Sequence, residues 1–164
     1  MRKIALRLIA IGFLAGLSVM SVHPQTRVNF GLNLGIQTNL SSSKSFDEAR
    51  FTMDARLGIP LDQHFEISPE VMAAVDYRLH FDLIWLYPGA MLNLKLGNFF
   101  VGFGAVLPIR FFDGESDTSK IEPKVNFGFR TKNLVLTAYI FSWTGSGSDF
   151  FGYNYIGTTI GFTF

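Results

Sequence analysis

The chain contains no cysteine. That excludes disulfide scaffolds, thiolate metal sites and the lipid-modified cysteine of a lipoprotein anchor. An excess of one charge is missing too. Lys and Arg number 14 against 13 Asp and Glu, a formal net charge of +1. Nothing in that balance attracts nucleic acid, so no nucleic-acid partner is expected. Long hydrophobic runs are confined to the N-terminus. After Met20 no segment approaches the roughly 20 apolar residues of a membrane-spanning helix. Histidine is sparse, at 3 residues, with no metal-ligand spacing. No metal or other cofactor is expected.

What the chain has in quantity is Phe (18), Gly (16) and a 48% hydrophobic composition. Part of this lies at the start. Met1-Arg2-Lys3 is basic, and Leu8–Met20 (LIAIGFLAGLSVM) is uncharged and apolar. Such a run fits a secretory h-region and is short for an uncleaved anchor. The segment around Val19-Met20-Ser21 suits a signal peptidase. Residues 1–25 are therefore expected to be a signal peptide, cut near 21–25. Residues 26–164 remain as one domain of about 140 residues.

In that domain apolar residues recur at every second position, the period of a strand with one apolar face. Eight strands are expected. They are Arg27–Thr38, Phe51–Ile59, Phe65–Leu79, Ile84–Leu96, Phe99–Phe111, Ile121–Thr131, Leu134–Trp143 and Tyr153–Phe164. The last is the cleanest: Ile156, Thr158, Ile160, Phe162 and Phe164 share a face opposite Gly157, Thr159, Gly161 and Thr163. Pro69 inside the third strand predicts a bulge or a weakened ladder. Strands four and seven carry apolar residues on both faces, which leaves their parity open.

The connections alternate. Asn39–Arg50, Leu79–Leu83, Phe112–Lys120 and Thr144–Gly152 read as longer polar loops. Pro60–His64, Gly97-Asn98 and Lys132-Asn133 read as tight turns. This layout predicts an all-β, eight-stranded antiparallel up-and-down transmembrane barrel, with both ends at the short-turn, periplasmic rim. It also predicts two aromatic belts. Phe30, Phe65, Phe99, Phe129, Phe162 and Phe164 fall near the short-turn rim. Phe51, Tyr77, Trp85, Phe111, Trp143 and Tyr153 fall near the other.

Hydrocarbon cannot satisfy an unpaired strand edge, so such a sheet must close. Eight strands enclose a space that side chains fill. The inward positions supply Asp54, Glu66, Glu70, Asp76 and Glu122 against Arg56, Arg78, Lys95, Arg110, Lys124 and Arg130. Buried charges must be paired, so a lumen plugged by a charged network is expected.

These features together resemble the small outer-membrane barrels: the OmpA transmembrane domain, OmpX and the outer membrane protein beta-barrel domain families. The resemblance implies a Gram-negative outer-membrane location, a monomer, and outer-membrane lipid and lipopolysaccharide as partners. It implies that the barrel-assembly machinery reads Phe164, Phe162 and Ile160 as an assembly signal. It implies an extracellular ligand, if one exists, at the long loops.

The reading that follows is a structural or surface-interaction barrel without catalysis, not an enzyme. A narrow channel for small solutes is the alternative. A third reading, a lipid A-modifying enzyme, would use His80 with Asp76 and Ser142 as base, orienting acid and hydroxyl. Against it, no serine is set beside His80 by sequence. His64 and His23 are poorer candidates. Asp47-Glu48 and Asp113–Asp117 are acidic loop clusters that could hold Ca²⁺ or simply be solvated. Gly145–Ser148 (GSGS) reads as a loop. A soluble lipocalin-like barrel would turn its apolar face inward instead.

Overall fold

The computed structural model describes residues 28–40, 49–78, 82–143 and 153–164. They form ten strand segments: β1 (Asn29–Asn39), β2 (Arg50–Pro60), β3 (Phe65–Asp76), β4 (Leu83–Leu96), β5 (Phe99–Val106), β6 (Ile109–Phe112), β7 (Glu115–Thr118), β8 (Glu122–Arg130), β9 (Leu134–Trp143) and β10 (Tyr153–Thr163). All pairings are antiparallel. β1 pairs both β2 and β10, and β3 pairs β4, so the sheet closes on itself. β5 with β6 forms one wall strand, and β7 with β8 the next, which gives an eight-stranded closed barrel. The first and last strands also exchange backbone bonds at the rim, Phe164 N to Phe30 O at 2.8 Å and Phe30 N to Phe164 O at 3.2 Å.

The period-two pattern sets which way each strand faces. On β1, Phe30, Leu32, Leu34 and Ile36 point out, while Asn33, Gln37 and Asn39 are buried. The outer wall is apolar throughout its height, with Leu34 63% and Phe103 66% exposed. That excludes the lipocalin-like arrangement, whose apolar face would be inside. The two open parities are now fixed. On β4, Trp85, Tyr87, Met91 and Asn93 face inward; on β9, Val135, Thr137, Tyr139 and Phe141 do so.

Of the two alternatives expected at Pro69, the weakened ladder is found and the bulge is not: the register stays in phase from Arg56↔Glu70 to Ile59↔Ile67, but the pairing lapses at Leu57 and Gly58, opposite Pro69 and Ser68. Proline removes a donor there without shifting the strands. The extra residue lies elsewhere. Val106 pairs Glu122, whereas Ile109 pairs Thr118, so Leu107-Pro108 oppose Ser119, Lys120 and Ile121. This one-residue bulge bends the β6–β7 hairpin relative to the wall below. The Phe112–Lys120 stretch, expected as a loop, is accordingly mostly strand. Its turn is Asp113-Gly114, with φ of 48° and 79°. Positive φ at both central residues matches strand twist, which is why Asp-Gly serves there.

The short turns lie at the opposite rim. Gly97 has φ 65° between the paired Leu96 and Phe99. At the β2–β3 turn the Asp62 carboxylate accepts from the backbone N–H of Phe65 at 2.7 Å and of His64 at 2.6 Å. Those two donors hold its carboxyl below the usual carboxylate range. Of the expected belts, Phe30, Phe65, Phe99, Phe162 and Phe164 are exposed at this rim, and Phe129 meets Phe99 edge-on at 5.2 Å. Phe51, Tyr77 and Phe111 are exposed towards the other rim. Trp85 is not part of that belt: it is buried inside. The side chains of Trp143 and Tyr153 lie outside the described residues.

Candidate functional site: a two-layered lumen

The lumen has a charged layer towards the short-turn rim and an aromatic layer towards the long-loop rim. In the charged layer β3 is tied across the interior to β8 twice. Arg130 donates to both Glu66 carboxylate oxygens, at 2.8 and 3.0 Å. Lys124 pairs with Glu70, both side chains 5% exposed. The forked Arg130–Glu66 contact is the stronger geometry, because a guanidinium matches a carboxylate bidentately. Ser68 donates to Glu66 at 3.0 Å and Asn93 donates to Ser68 at 2.8 Å, which completes the carboxylate's shell. Asp54 accepts from Asn33, and Arg56 reaches Asn33 at 3.5 Å and Thr137 at 3.4 Å.

Glycines make room for these groups. A Cβ on Gly58 would lie 2.9 Å from the Glu66 carboxyl carbon, and one on Gly157 would lie 2.3 Å from the Tyr139 ring. The lumen is therefore filled by long side chains leaning over residues that have none.

In the second layer Tyr87, Phe141 and Tyr155 pack ring against ring, with centroids 5.1 and 5.3 Å apart. Met72, Ala74, Trp85, Val106 and Tyr139 join the cluster. Arg50 is set into it. Its guanidinium lies 3.6 Å over the Trp85 ring and 4.8 Å over Tyr155. It donates to the hydroxyls of Tyr87 at 3.1 Å and Tyr155 at 3.2 Å. Gln37 donates to Tyr87 at 3.3 Å and accepts from Tyr139 at 3.1 Å. The hydroxyls of Tyr87, Tyr139 and Tyr155 and the Gln37 amide are hydrogen-bonded, while the buried Trp85 indole N–H has no partner and lies under the Arg50 guanidinium.

Of the residues expected in the lumen, Asp54, Arg56, Glu66, Glu70, Glu122 and Lys124 are buried there, and Arg130 is half-buried. Asp76 and Lys95 are half-buried at opposite rims; Lys95 donates to the Asp62 carbonyl at 3.2 Å. Arg78 is outside. β3 ends at Asp76, whose carboxylate accepts the Arg78 N–H at 2.8 Å and turns the chain away. Arg110 is outside too. It sits on β6 beyond the bulge and pairs with Asp117 at 3.5 Å across the exposed hairpin.

Phe164, Phe162 and Ile160 all face outward. His80, His23, the Asp47-Glu48 pair and Gly145–Ser148 lie outside the described residues. Ser142 is on β9 with outward parity. Among the described residues no group of His, Asp or Glu is placed to hold a metal ion. Sequence reasoning missed Arg50, which it assigned to a loop, and the whole aromatic layer.

The closed eight-stranded barrel, with its apolar outer wall and filled lumen, is similar in fold to several solved barrels. Neisserial surface protein A is similar with a TM-score of 0.58 and 14% identity, over 83% of this chain and 95% of that one. The N-terminal β-barrel domain of Pseudomonas aeruginosa OprF has a TM-score of 0.52 at 13% identity, over 85% of this chain and 100% of that one. A de novo designed transmembrane β-barrel matches at TM-score 0.53 and 12% identity, over 87% of this chain and 98% of that one. At such identities the likeness establishes the fold alone. No protein-family model matches the chain, and no curated protein is similar to it in sequence.

Proposed function

We propose that the chain is an integral outer-membrane barrel with a structural or surface-interaction role and a lumen closed to solutes. The observation that carries this is the reversal of faces. The wall facing outward is apolar, while ions and amides are packed inside. Water would expel such a wall; a bilayer accepts it. The designed transmembrane barrel and Neisserial surface protein A share the architecture. Residues 1–25 act as the secretory signal. The short-turn rim, where β1 begins and β10 ends, lies on the periplasmic side. Phe164, Phe162 and Ile160 serve recognition by the assembly machinery, and surface contacts fall to the β6–β7 hairpin and the other long connections. The lumen favours closure over conduction, because Arg50 and its aromatic neighbours fill one layer and the Glu66–Arg130 and Glu70–Lys124 pairs fill the next.

Cell fractionation with protease added outside intact cells tests location and topology together. The expected result is an outer-membrane protein cut in the long connections and protected at the turns around Asp62, Gly97 and Lys132. Recovery in the soluble fraction would refute the reading. A large, stable conductance in a planar bilayer would refute the closed lumen while leaving the location intact.

A further inference from the structure

We infer that Asp113-Gly114, at the tip of the β6–β7 hairpin, is a site of self-modification, where aspartate rearranges to isoaspartate. No other Asp or Asn in the chain is followed by glycine. The reaction is an attack by the next residue's backbone nitrogen on the side-chain carboxyl carbon. A Cβ on that next residue crowds the approach, and Gly114 has none. Both residues are exposed, and a Cβ added to Gly114 would meet nothing within 4 Å. The exposed carboxylates of Asp62 and Asp117 are engaged, the first by two backbone N–H groups and the second by Arg110 at 3.5 Å. Among the described residues the Asp113 carboxyl has no such partner.

Ring closure requires the turn to open, and the hairpin is held from one side. β6 is backed by β4 as far as Leu83↔Phe112, and the Asp113 N–H donates to the Asp82 carbonyl at 3.4 Å. Among the described residues β7 pairs with β6 alone, and all four of its residues are exposed. Asp113 is thus anchored, while Gly114 and β7 are free to peel away. Opening an exposed tip of this kind costs little. In the open turn the Gly114 nitrogen bonds to Asp113 Cγ. The Cγ–OH bond breaks, and the hydroxyl leaves with the amide proton as water. Water then opens the cyclic imide at either carbonyl. Cleavage at Cγ restores aspartate. Cleavage at the main-chain carbonyl leaves the chain running through Cβ and Cγ, with the carboxylate now on Cα. The water released is taken up again, so mass is unchanged and no oxidant is used. The added main-chain carbon has no place in a two-residue hairpin turn. β7 then loses its register on β6, and with it the Arg110–Asp117 pair. A rearranged copy presents a different hairpin from a new one.

The test incubates the purified, folded barrel in detergent at physiological temperature and digests samples with trypsin. Arg110 and Lys120 bracket the peptide 111–120. Chromatography with electron-transfer fragmentation separates its aspartyl and isoaspartyl forms, which have the same mass. Isoaspartate is expected at 113 and not at Asp117, which lies in the same peptide but precedes Thr118. The rate in the folded barrel should lie within about tenfold of that in the free peptide 111–120, equivalent to about 1.4 kcal/mol of turn opening. Asp113→Asn keeps a favoured turn residue. Its amide gives up ammonia more readily than a carboxyl gives up water, so the variant should form isoaspartate on the order of tenfold faster. Conversion in the folded barrel more than about tenfold slower than in the free peptide overturns the inference, because the closed turn would then protect the site. Equal conversion at Asp117 also overturns it, as does an Asp113→Asn barrel that converts no faster than wild type.

Discussion

Lys124→Met is expected to destabilise the barrel far more than an exposed ion-pair deletion would. Lys124 and Glu70 are each 5% exposed, so removing the ammonium leaves a carboxylate buried inside the sheet. Breaking one side of a buried pair costs about 3–5 kcal/mol. Glu70→Gln should cost less, about 1–3 kcal/mol. Its amide still accepts a hydrogen bond, and the ammonium keeps the Tyr139 ring face at 4.7 Å. The double variant Glu70→Gln/Lys124→Met leaves no lone charge and should fall within about 1 kcal/mol of wild type. The coupling energy is then about 3 kcal/mol or more, in the range of close, desolvated charge pairs. Reversible urea unfolding in lipid vesicles, followed by tryptophan fluorescence and gel migration, measures all three variants. A loss below about 1 kcal/mol for Lys124→Met would match a solvated pair. The lumen would then be wet at that depth, and the closed-barrel reasoning would be wrong.

Arg50→Met removes two hydrogen bonds and the stacking over Trp85 at 3.6 Å; a loss of about 2–4 kcal/mol is expected, only partly recovered by Arg50→Lys. In a Trp143→Phe background the emission of Trp85 should shift with it, and unchanged emission would refute the stacking. Gly35→Ala places a Cβ 2.0 Å from the Thr158 carbonyl oxygen at the β1–β10 seam, whereas the same change at Gly31 meets the movable Arg56 side chain at 3.2 Å. The first should lower the unfolding temperature seen by gel migration, at a cost of about 1–3 kcal/mol, and the second should barely move it. Asp62 has a folded pKa below its unfolded one, so its support of the turn is complete above the ordinary carboxylate range and is lost as pH falls through the lower, folded value. The His64 and Phe65 amide resonances should titrate below the ordinary aspartate range, and a midpoint above it would contradict the turn geometry.

Alternation made most of the wall legible. Phe30 to Ile36 and Ile156 to Phe164 carry one apolar face each, so their parity is unambiguous in the sequence. On β4, inward Trp85, Tyr87 and Met91 alternate with outward Leu86, Leu92 and Leu94; on β9, inward Val135, Tyr139 and Phe141 alternate with outward Leu136 and Ile140. Two apolar faces cancel the period-two signal, and four aromatic residues of the inner layer, Trp85, Tyr87, Tyr139 and Phe141, lie on these two strands. Arg50 was hidden for another reason: a charged residue next to a polar loop reads as part of the loop. Arg110 keeps the inward parity that alternation predicts, opposite Trp85, but it lies on the exposed β6–β7 hairpin, and alternation records parity rather than height along the barrel. Arg78 shows the same limit, since an Asx turn at Asp76 ends the strand before a pattern of polarity would.

The two ties from β3 to β8 constrain how the barrel can be made. Glu70 lies 54 residues before Lys124, and Glu66 lies 64 before Arg130. Between them the chain must lay down β4 to β7, so both carboxylates wait for these two partners while half the wall is built. Until then Arg56, on β2 directly opposite Glu70, is the cation already beside them. If the barrel inserts into a bilayer as proposed, Glu66 and Glu70 would gain their own partners only when β8 docks. Closing the wall and neutralising the lumen would then be one event.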